Sequence, residues 1–384
     1  MRIEQLKVHK ISLPFSGDFS HSRKKGSSAN NIIVEVIANQ GETKGYGEGA
    51  PRRYVTGESQ ESVIKTISHL LQEDSFPWEL NDISQIWDFV DNLPDIKEHH
   101  SAICSLEMSL LDALGKNQNR NIIEYFPKDF LTSTIYYGAT ISLSNKKRIM
   151  ELCRLIGKMR INKLRLKMGK DFEQNKEAIE TVKLLFGDDY DLRIDLNGAW
   201  DHETAYKHVP LIKRFNVKVV EQPMMPGDQG LVEFAAMIQN HGVILMADES
   251  ACSLADVKKV VKDEYYKMIN VRLSKCGGFR NSLKIINYLR TRGLSFQIGC
   301  QLGESGILSA AGRALSLLCR DAVYYDGSYD RFMLKENITT EDVSFGPGGK
   351  AGPLDSPGLG VKINKENLIR LSNGYPSLSI SNPT

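Results

Sequence analysis

Three acidic residues in the middle of the chain each close a short apolar run: Asp195 in RIDLNGAW, Glu221 in VVEQP and Asp248 in LMADES. The steps between them are nearly equal, each the length of one strand and one helix. Two lysines continue the same period outward. Lys167 ends KLRLKMG, one such step before Asp195, and Lys275 lies just beyond Met268–Leu273, one step after Asp248. A lone Asp after a strand is ordinarily a turn former or a helix N-cap. Caps have no reason to recur as carboxylates at the same end of successive strands. The pattern therefore predicts one site assembled from several strand ends. Carboxylate-only ligands suit a hard divalent cation, Mg²⁺ first and Mn²⁺ as the alternative.

Such an ion can bind a substrate carboxylate and stabilise the charge that develops when the α-proton leaves. Removing that proton needs a base, and lysine serves when cationic neighbours favour its neutral form. Arg165, on the same strand face as Lys167, and the metal are such neighbours. Two lysines on opposite faces of one carbanion give racemisation or epimerisation. One lysine acting alone gives cycloisomerisation or β-elimination. Further strand-end residues are candidates for substrate contact: Thr140, Asn197, Gln301 and Glu304 in GCQLGESG, and Asp326 and Ser328 in YYDGSYD. Glu249 directly follows Asp248. The polar loops 20–28 and 51–58, carrying Arg23 and Arg53, predict a cationic lid for an anionic substrate.

The elements that must position these residues follow from the apolar pattern. Strands are expected at 134–140, 163–167, 192–196, 217–221, 243–247, 268–273, 295–299 and 322–326, with helical patterns between them. Strict alternation implies a parallel sheet, and eight units over roughly 200 residues fit a closed α/β barrel. An open doubly wound sheet would not explain functional residues at so many strand ends. Before about residue 130 the chain reads as α+β. Strands are expected at 2–13, 31–38 and 43–51, and helices at 59–71, 82–91 and 98–115, the last closed by Gly115 as C-cap. Gly45, Gly47 and Gly49, and the GPGG at 346–349, read as turn glycines and not as a phosphate cradle, which needs a following helix. The Gly/Pro-rich tail is expected to return to the first domain.

The bulk numbers narrow the class. A length of 384 residues suits two domains, and 25% charged with 41% hydrophobic residues is ordinary for a soluble globular protein. A formal net charge of +2 offers no electrostatic case for nucleic acid or a membrane surface. Met1–Ile11 lacks a signal-peptide core, and no run approaches a transmembrane length. The 6 cysteines are scattered without a CxxC, so zinc and disulfides are not expected and a reducing cytoplasm is.

Taken as a set, these segments resemble the enolase superfamily, in its muconate lactonising group. LRLKMGKD is similar to the KxK segment of that group. RIDLNGAW, VVEQP and MADES look like its three metal-ligand segments, and NVRLSKCGG like the segment with the second lysine. GYGEGAP, LLDALGK and SPGLGV extend the resemblance over nearly the whole chain. It implies a modified TIM barrel, (β/α)₇β, over 131–344. An α+β capping domain would span 1–130 and be completed by 345–384. It further implies Mg²⁺ on Asp195, Glu221 and Asp248, Lys167 and Lys275 as the acid/base pair, a small-molecule carboxylate substrate and a homo-oligomer. Dipeptide epimerases and muconate cycloisomerases look closest. The expected activity is a racemase or epimerase on a dipeptide or N-acyl amino acid, with a cycloisomerase or dehydratase as the alternative. Two positions depart from the pattern. Arg165 stands at the first lysine of KxK, and arginine does not act as a base. Asp326-Gly327-Ser328 stands where dipeptide epimerases carry an Asp-x-Asp for the substrate ammonium.

Overall fold

The structure, a computed structural model, describes residues 1–21 and 24–383; the side chains of residues 17–25 lie outside the description. Near the N-terminus, β1 (Ile3–His21), β2 (Lys24–Ala38) and β3 (Thr43–Gly49) form an antiparallel meander. Three helices follow: α1 (Gln60–Leu70), α2 (Ile83–Asp91) and α3 (His100–Asn117). The long helix α3 packs against β3, and the glycines explain how. Gly45, Gly47 and Gly49 alternate onto one face of β3, and a Cβ on any of them would run into the backbone of α3 at Ser109, Ser105 or Ser101. Those serines, with Ala113, recur at every fourth position on α3, so a stripe of small side chains meets a stripe of none. None of the three glycines has a positive φ. The turn reading was therefore wrong here: they permit close approach of strand and helix. Gly115 likewise does not end α3. The helix runs on to Asn117, and a Cβ at Gly115 would sit 2.8 Å from the Cα of Gly358. Gly47→Ala should lower unfolding stability by at least about 1–3 kcal/mol, the range for overpacking a tight contact. A denaturation midpoint equal to that of the wild type would refute this account of the packing.

The second sheet has eight parallel strands in sequence order. The expected strand 134–140 is two pieces. β4 (Ile135–Tyr136) turns away to pair with β13 (Lys350–Ala351), and only β5 (Ala139–Ile141) joins the sheet. It continues through β6 (Lys163–Lys167), β7 (Asp191–Asp195), β8 (Val219–Glu221) and β9 (Ile244–Ala247). β10 (Met268–Val271), β11 (Ser295–Ile298) and β12 (Tyr324–Tyr325) complete it. The Gly138 N–H donates to the Tyr325 carbonyl at 2.8 Å, linking the two ends of the curled sheet. The connecting helices are α4 (Lys146–Lys158), α5 (Phe172–Phe186), α6 (His202–Arg214), α7 (Gly230–Gln239) and α8 (Leu254–Lys262). A single turn, α9 (Leu273–Cys276), precedes α10 (Gly278–Thr291), and α11 (Gly306–Leu317) leads to the last strand. This is the (β/α)₇β barrel. Short helices α12 (Asp330–Met333) and α13 (Lys365–Leu371) follow, and β14 (Leu378–Ser381) pairs with β1.

Alternation along the strands sorts the barrel interior. Val219, Met246, Met268 and Tyr324 form an apolar cluster there. One alternation further along three of those strands stand Glu221, Asp248 and Asp326, so the charged groups lie one layer nearer the C-terminal mouth. Buried carboxylates also join the two sheets. Glu48 of β3 accepts from the backbone N–H groups of Ser305 (2.9 Å) and Leu308 (2.9 Å), at the start of α11. A carboxylate at a helix N-terminus satisfies free N–H groups and faces the positive end of the helix dipole. Glu107 of α3 accepts from the Arg280 N–H at 2.8 Å in the same way on α10. Among the described residues, no helix is long and apolar enough to cross a membrane.

Candidate active site

β6, β7 and β8 lie in register, so Lys167 neighbours Asp195 and Asp195 neighbours Glu221 across the sheet. Asp248 follows β9 directly. All three carboxylates are fully buried. Cations meet them from both sides. Lys167 Nζ donates to Asp195 Oδ2 at 2.6 Å and to Asn197 Oδ1 at 2.7 Å. Arg165 Nη1 reaches Glu221 Oε2 at 3.4 Å and Asp195 Oδ2 at 3.8 Å. At the other end Lys275 Nζ donates to Asp248 Oδ1 at 3.0 Å, and to the carbonyls of Asp248 (2.9 Å) and Asn270 (2.5 Å).

One cation here escaped the sequence reading. Arg272 places Nη2 on Asp248 Oδ2 and, at 3.4 Å, on Glu221 Oε1. Asn270 Nδ2 donates to the same Glu221 oxygen at 2.6 Å. A usable signal existed in NVRLSKCGG. Met268, Asn270 and Arg272 alternate along one strand, so an inward Met268 implies two inward polar residues beyond it. The expected strand 268–273 in fact stops at Val271, and Lys275 sits on the turn α9.

These neighbours set the titration of the site. Burial, then Asp195, hold the Glu221 carboxyl above its ordinary range. Burial would raise Asp195 too, but Lys167 and Arg165 bring it below its usual value. Burial opposes the Lys275 ammonium, yet Asp248 overrides it and keeps its pKa above the ordinary lysine value. Burial, then Asp248, push Glu249 up to about 8. Removing Arg272 would leave two buried carboxylates short of a partner. Arg272→Met should therefore destabilise the fold by about 3–5 kcal/mol, the cost of breaking a buried pair from one side. A thermal midpoint unchanged in this variant would show that the contact contributes nothing.

Among the described residues, no three His, Cys, Asp or Glu side chains converge closely enough to hold a metal ion as they stand. The donor chemistry nonetheless fits a hard cation. Three all-oxygen ligands stand at adjacent strand ends, and burial, with repulsion from Asp195 and Asp248, raises the central one. Arg272 lies across two of them, so an ion on these oxygens requires that guanidinium to move aside.

A cavity of about 720 Å³ opens at this end of the barrel. Thr140, Arg165, Lys167, Asn197, Arg272 and Gln301 supply its polar wall at the strand ends, and Ser142, Ser144, Asn145 and Arg148 add polar groups beside α4. Lys275 is fully buried and does not line it; Asp248 stands between Lys275 and Arg272. The two lysines therefore share one row of carboxylates, but only Lys167 opens on the cavity. The remaining candidates divide. Asn197 joins Lys167 to Glu249, donating to Glu249 Oε1 at 3.0 Å. Thr140 accepts from Arg165 at 3.2 Å and Gln301 from Arg272 at 3.3 Å. Asp326 is held by Arg193 through two bonds of 2.9 and 3.0 Å, and by Arg165 at 3.4 Å. Burial would raise its pKa, but these arginines hold it down to about 2.

Glu304, Ser328 and Arg53 stand off this cavity. Glu304 accepts from the Gln301 N–H at 2.6 Å and is buried away from the main cavity. Ser328 accepts from Arg313 at 3.1 Å, and it too lies off this cavity. Arg53 is exposed and contributes nothing to the lining. Its neighbour Arg52 is buried and bonded to Asn31 (2.9 Å) and the Leu302 carbonyl, so it is a joint between the sheets and not a lid cation. Tyr54 takes the place at the cavity. Arg23 lies outside the described residues.

A family model for the enolase C-terminal domain-like family matches residues 148–367. The chain belongs to that family. This places the barrel in the enolase superfamily, and the relatives sit in its muconate lactonising group. The chain is 26% identical to the N-succinyl-L-Arg/Lys racemase of Bacillus cereus, over 97% of this chain and 98% of that protein. It is 24% identical to the chloromuconate cycloisomerase of a Pseudomonas species, over 96% and 98%. The crystal structure of the dipeptide epimerase of Enterococcus faecalis, complexed with Mg and L-Leu-L-Tyr, superposes with a TM-score of 0.82 at 24% identity. That match covers 94% of this chain and 100% of the other. These enolase-superfamily relatives are isomerases, and the chain is an isomerase of that group.

Proposed function

We propose that the chain is a Mg²⁺-dependent racemase acting at the carbon α to a carboxylate, with an N-acylated amino acid as substrate. The observation that carries this reading is the pair of lysines at the two ends of one carboxylate row, Lys167 on Asp195 and Lys275 on Asp248. Asp195, Glu221 and Asp248 would hold the ion. When bound, it supplies positive charge against the negative charge that grows on the substrate carboxylate as the α-proton leaves. Lys167 takes or returns the proton from the cavity side, and Lys275 serves the opposite face. Arg165 and Arg272 orient the carboxylate; neither moves a proton. Residues 131–344 form the barrel, and residues 1–130 with 345–384 form the cap that closes its mouth.

The choice of an N-acyl substrate over a dipeptide rests on charge. Among the described residues, no Asp or Glu lines the cavity, whereas Arg148, Arg165, Lys167 and Arg272 do. A dipeptide ammonium needs an acidic partner, and Asp326 is already committed to two arginines. One observation favours a second reading. Lys275 is covered by Asp248, so with Lys167 acting alone the site would run a cycloisomerisation or a β-elimination. Incubation in D₂O with Mg²⁺ separates the two. N-acyl amino acids should take up one α-deuterium and lose optical rotation without changing their functional groups. Absence of exchange, together with turnover of a muconate or loss of water from a hydroxy acid, would replace the racemase with the second reading.

A further inference from the structure

The cavity is larger than the chemistry at Lys167 requires, and its far side is apolar. Its volume of about 720 Å³ lies in the upper part of the range of small-molecule pockets, about 300–1,000 Å³. The reason lies in α4. A barrel helix ordinarily turns one apolar stripe to the sheet and a polar face to solvent. On α4, Ile149, Cys153 and Ile156 are the buried stripe. A second row, Leu152 and Leu155 with Met159 just past the helix end, follows the same helical spacing and lines the cavity, with Arg148 one turn ahead of it and Ile156 shared with the buried stripe. Facing it stand Phe332 of α12 and Phe345, with ring centroids 5.4 Å apart. Leu155 remains 49% exposed and Phe332 38% exposed, and both open onto this space. Large apolar side chains on opposing walls of one cavity, continuous with Lys167, are built for a hydrocarbon guest.

We propose that this arm between α4 and the Phe332–Phe345 wall receives an extended hydrocarbon group of the substrate, the part that does not react. The assignment rests on the reading of the site as one for N-acyl amino acids. The hydrocarbon is either the acyl chain or the amino-acid side chain; the chemistry is the same, and the test tells them apart. An anion anchored by Arg165 and Arg272 at one end and an apolar tail at the other describe an amphiphilic carboxylate. Specificity then follows tail length up to the depth of the arm.

N-acylglycines test this directly, because glycine has no configuration to invert and binding is read apart from racemisation. Calorimetry with Mg²⁺ present should show affinity rising about threefold to fourfold per methylene from N-acetylglycine to N-octanoylglycine. That step is the equivalent of burying one CH₂ at about 0.8 kcal/mol, with about 1.4 kcal/mol per tenfold. Leu155→Asp and Met159→Trp should each cut the octanoyl-to-acetyl affinity ratio tenfold or more, with the thermal midpoint reporting that both proteins are folded. A ratio that stays the same in both folded variants, or affinity indifferent to chain length throughout, overturns the assignment to the acyl chain. The series N-acetylalanine, N-acetylleucine, N-acetylphenylalanine repeats the measurement for the side chain; a flat response in both series overturns the proposal altogether. Deuterium exchange at the glycine α-carbon reports separately on the parent reading. Tightening without exchange keeps the arm and removes the racemase, whereas exchange without tightening does the reverse.

Discussion

The Lys275→Ala protein should lose racemisation by ~10²-fold or more, the contribution of a positioned acid or base. Lys167→Ala should lose at least as much. The two variants differ in what survives. If the lysines serve opposite faces, Lys275→Ala still exchanges the α-proton of one enantiomer with solvent through Lys167, and Lys167→Ala does so only for the other. The result is a pair of enantiospecific exchange enzymes, neither of which racemises. The structure makes Lys275 the sharper test, because its ammonium is fully buried and donates to three acceptors around Asp248. To act, it must exchange at least one of these bonds for the substrate. Near-normal turnover by Lys275→Ala would make it a structural cation that balances Asp248, and the one-lysine chemistries, cycloisomerisation and β-elimination, would take precedence over racemisation.

Exhaustive chelation should take turnover to background, and Mg²⁺ should restore it. The physical ground is the crowding of three buried carboxylates, with Glu221 raised by burial and by Asp195. An ion held by that set stabilises the folded state as well, by about 2.7 kcal/mol at a hundredfold excess over its dissociation constant. The thermal midpoint should therefore climb with Mg²⁺ concentration. Glu221→Gln should abolish both responses, since its neutral amide lowers the charge of the central ligand. Activity that persists in chelator, or a midpoint indifferent to Mg²⁺, would be incompatible with this assignment.

What the sequence determined by itself was whatever repeats locally. Apolar runs of strand length, helical spacings and the near-constant βα step are all properties of short stretches, and they were enough for the barrel and for the row Lys167, Asp195, Glu221, Asp248. Parallel strands in register convert equal spacing along the chain into neighbourhood in space, which is why that recurring step could be read as one site. The tertiary structure alone decided the partners. Arg193 and Asp326 meet across 133 residues, and no spacing along the chain announces that pairing. Glu48 reaches α11 across 257 residues. Arg272 could have been found by alternation, but only the closed barrel shows that it lies across Glu221 and Asp248 while Lys275 sits behind them. The glycines of β3 and the second apolar row of α4 were plain in the chain, yet their use depends on what is packed opposite: a helix backbone in one case, and open cavity in the other.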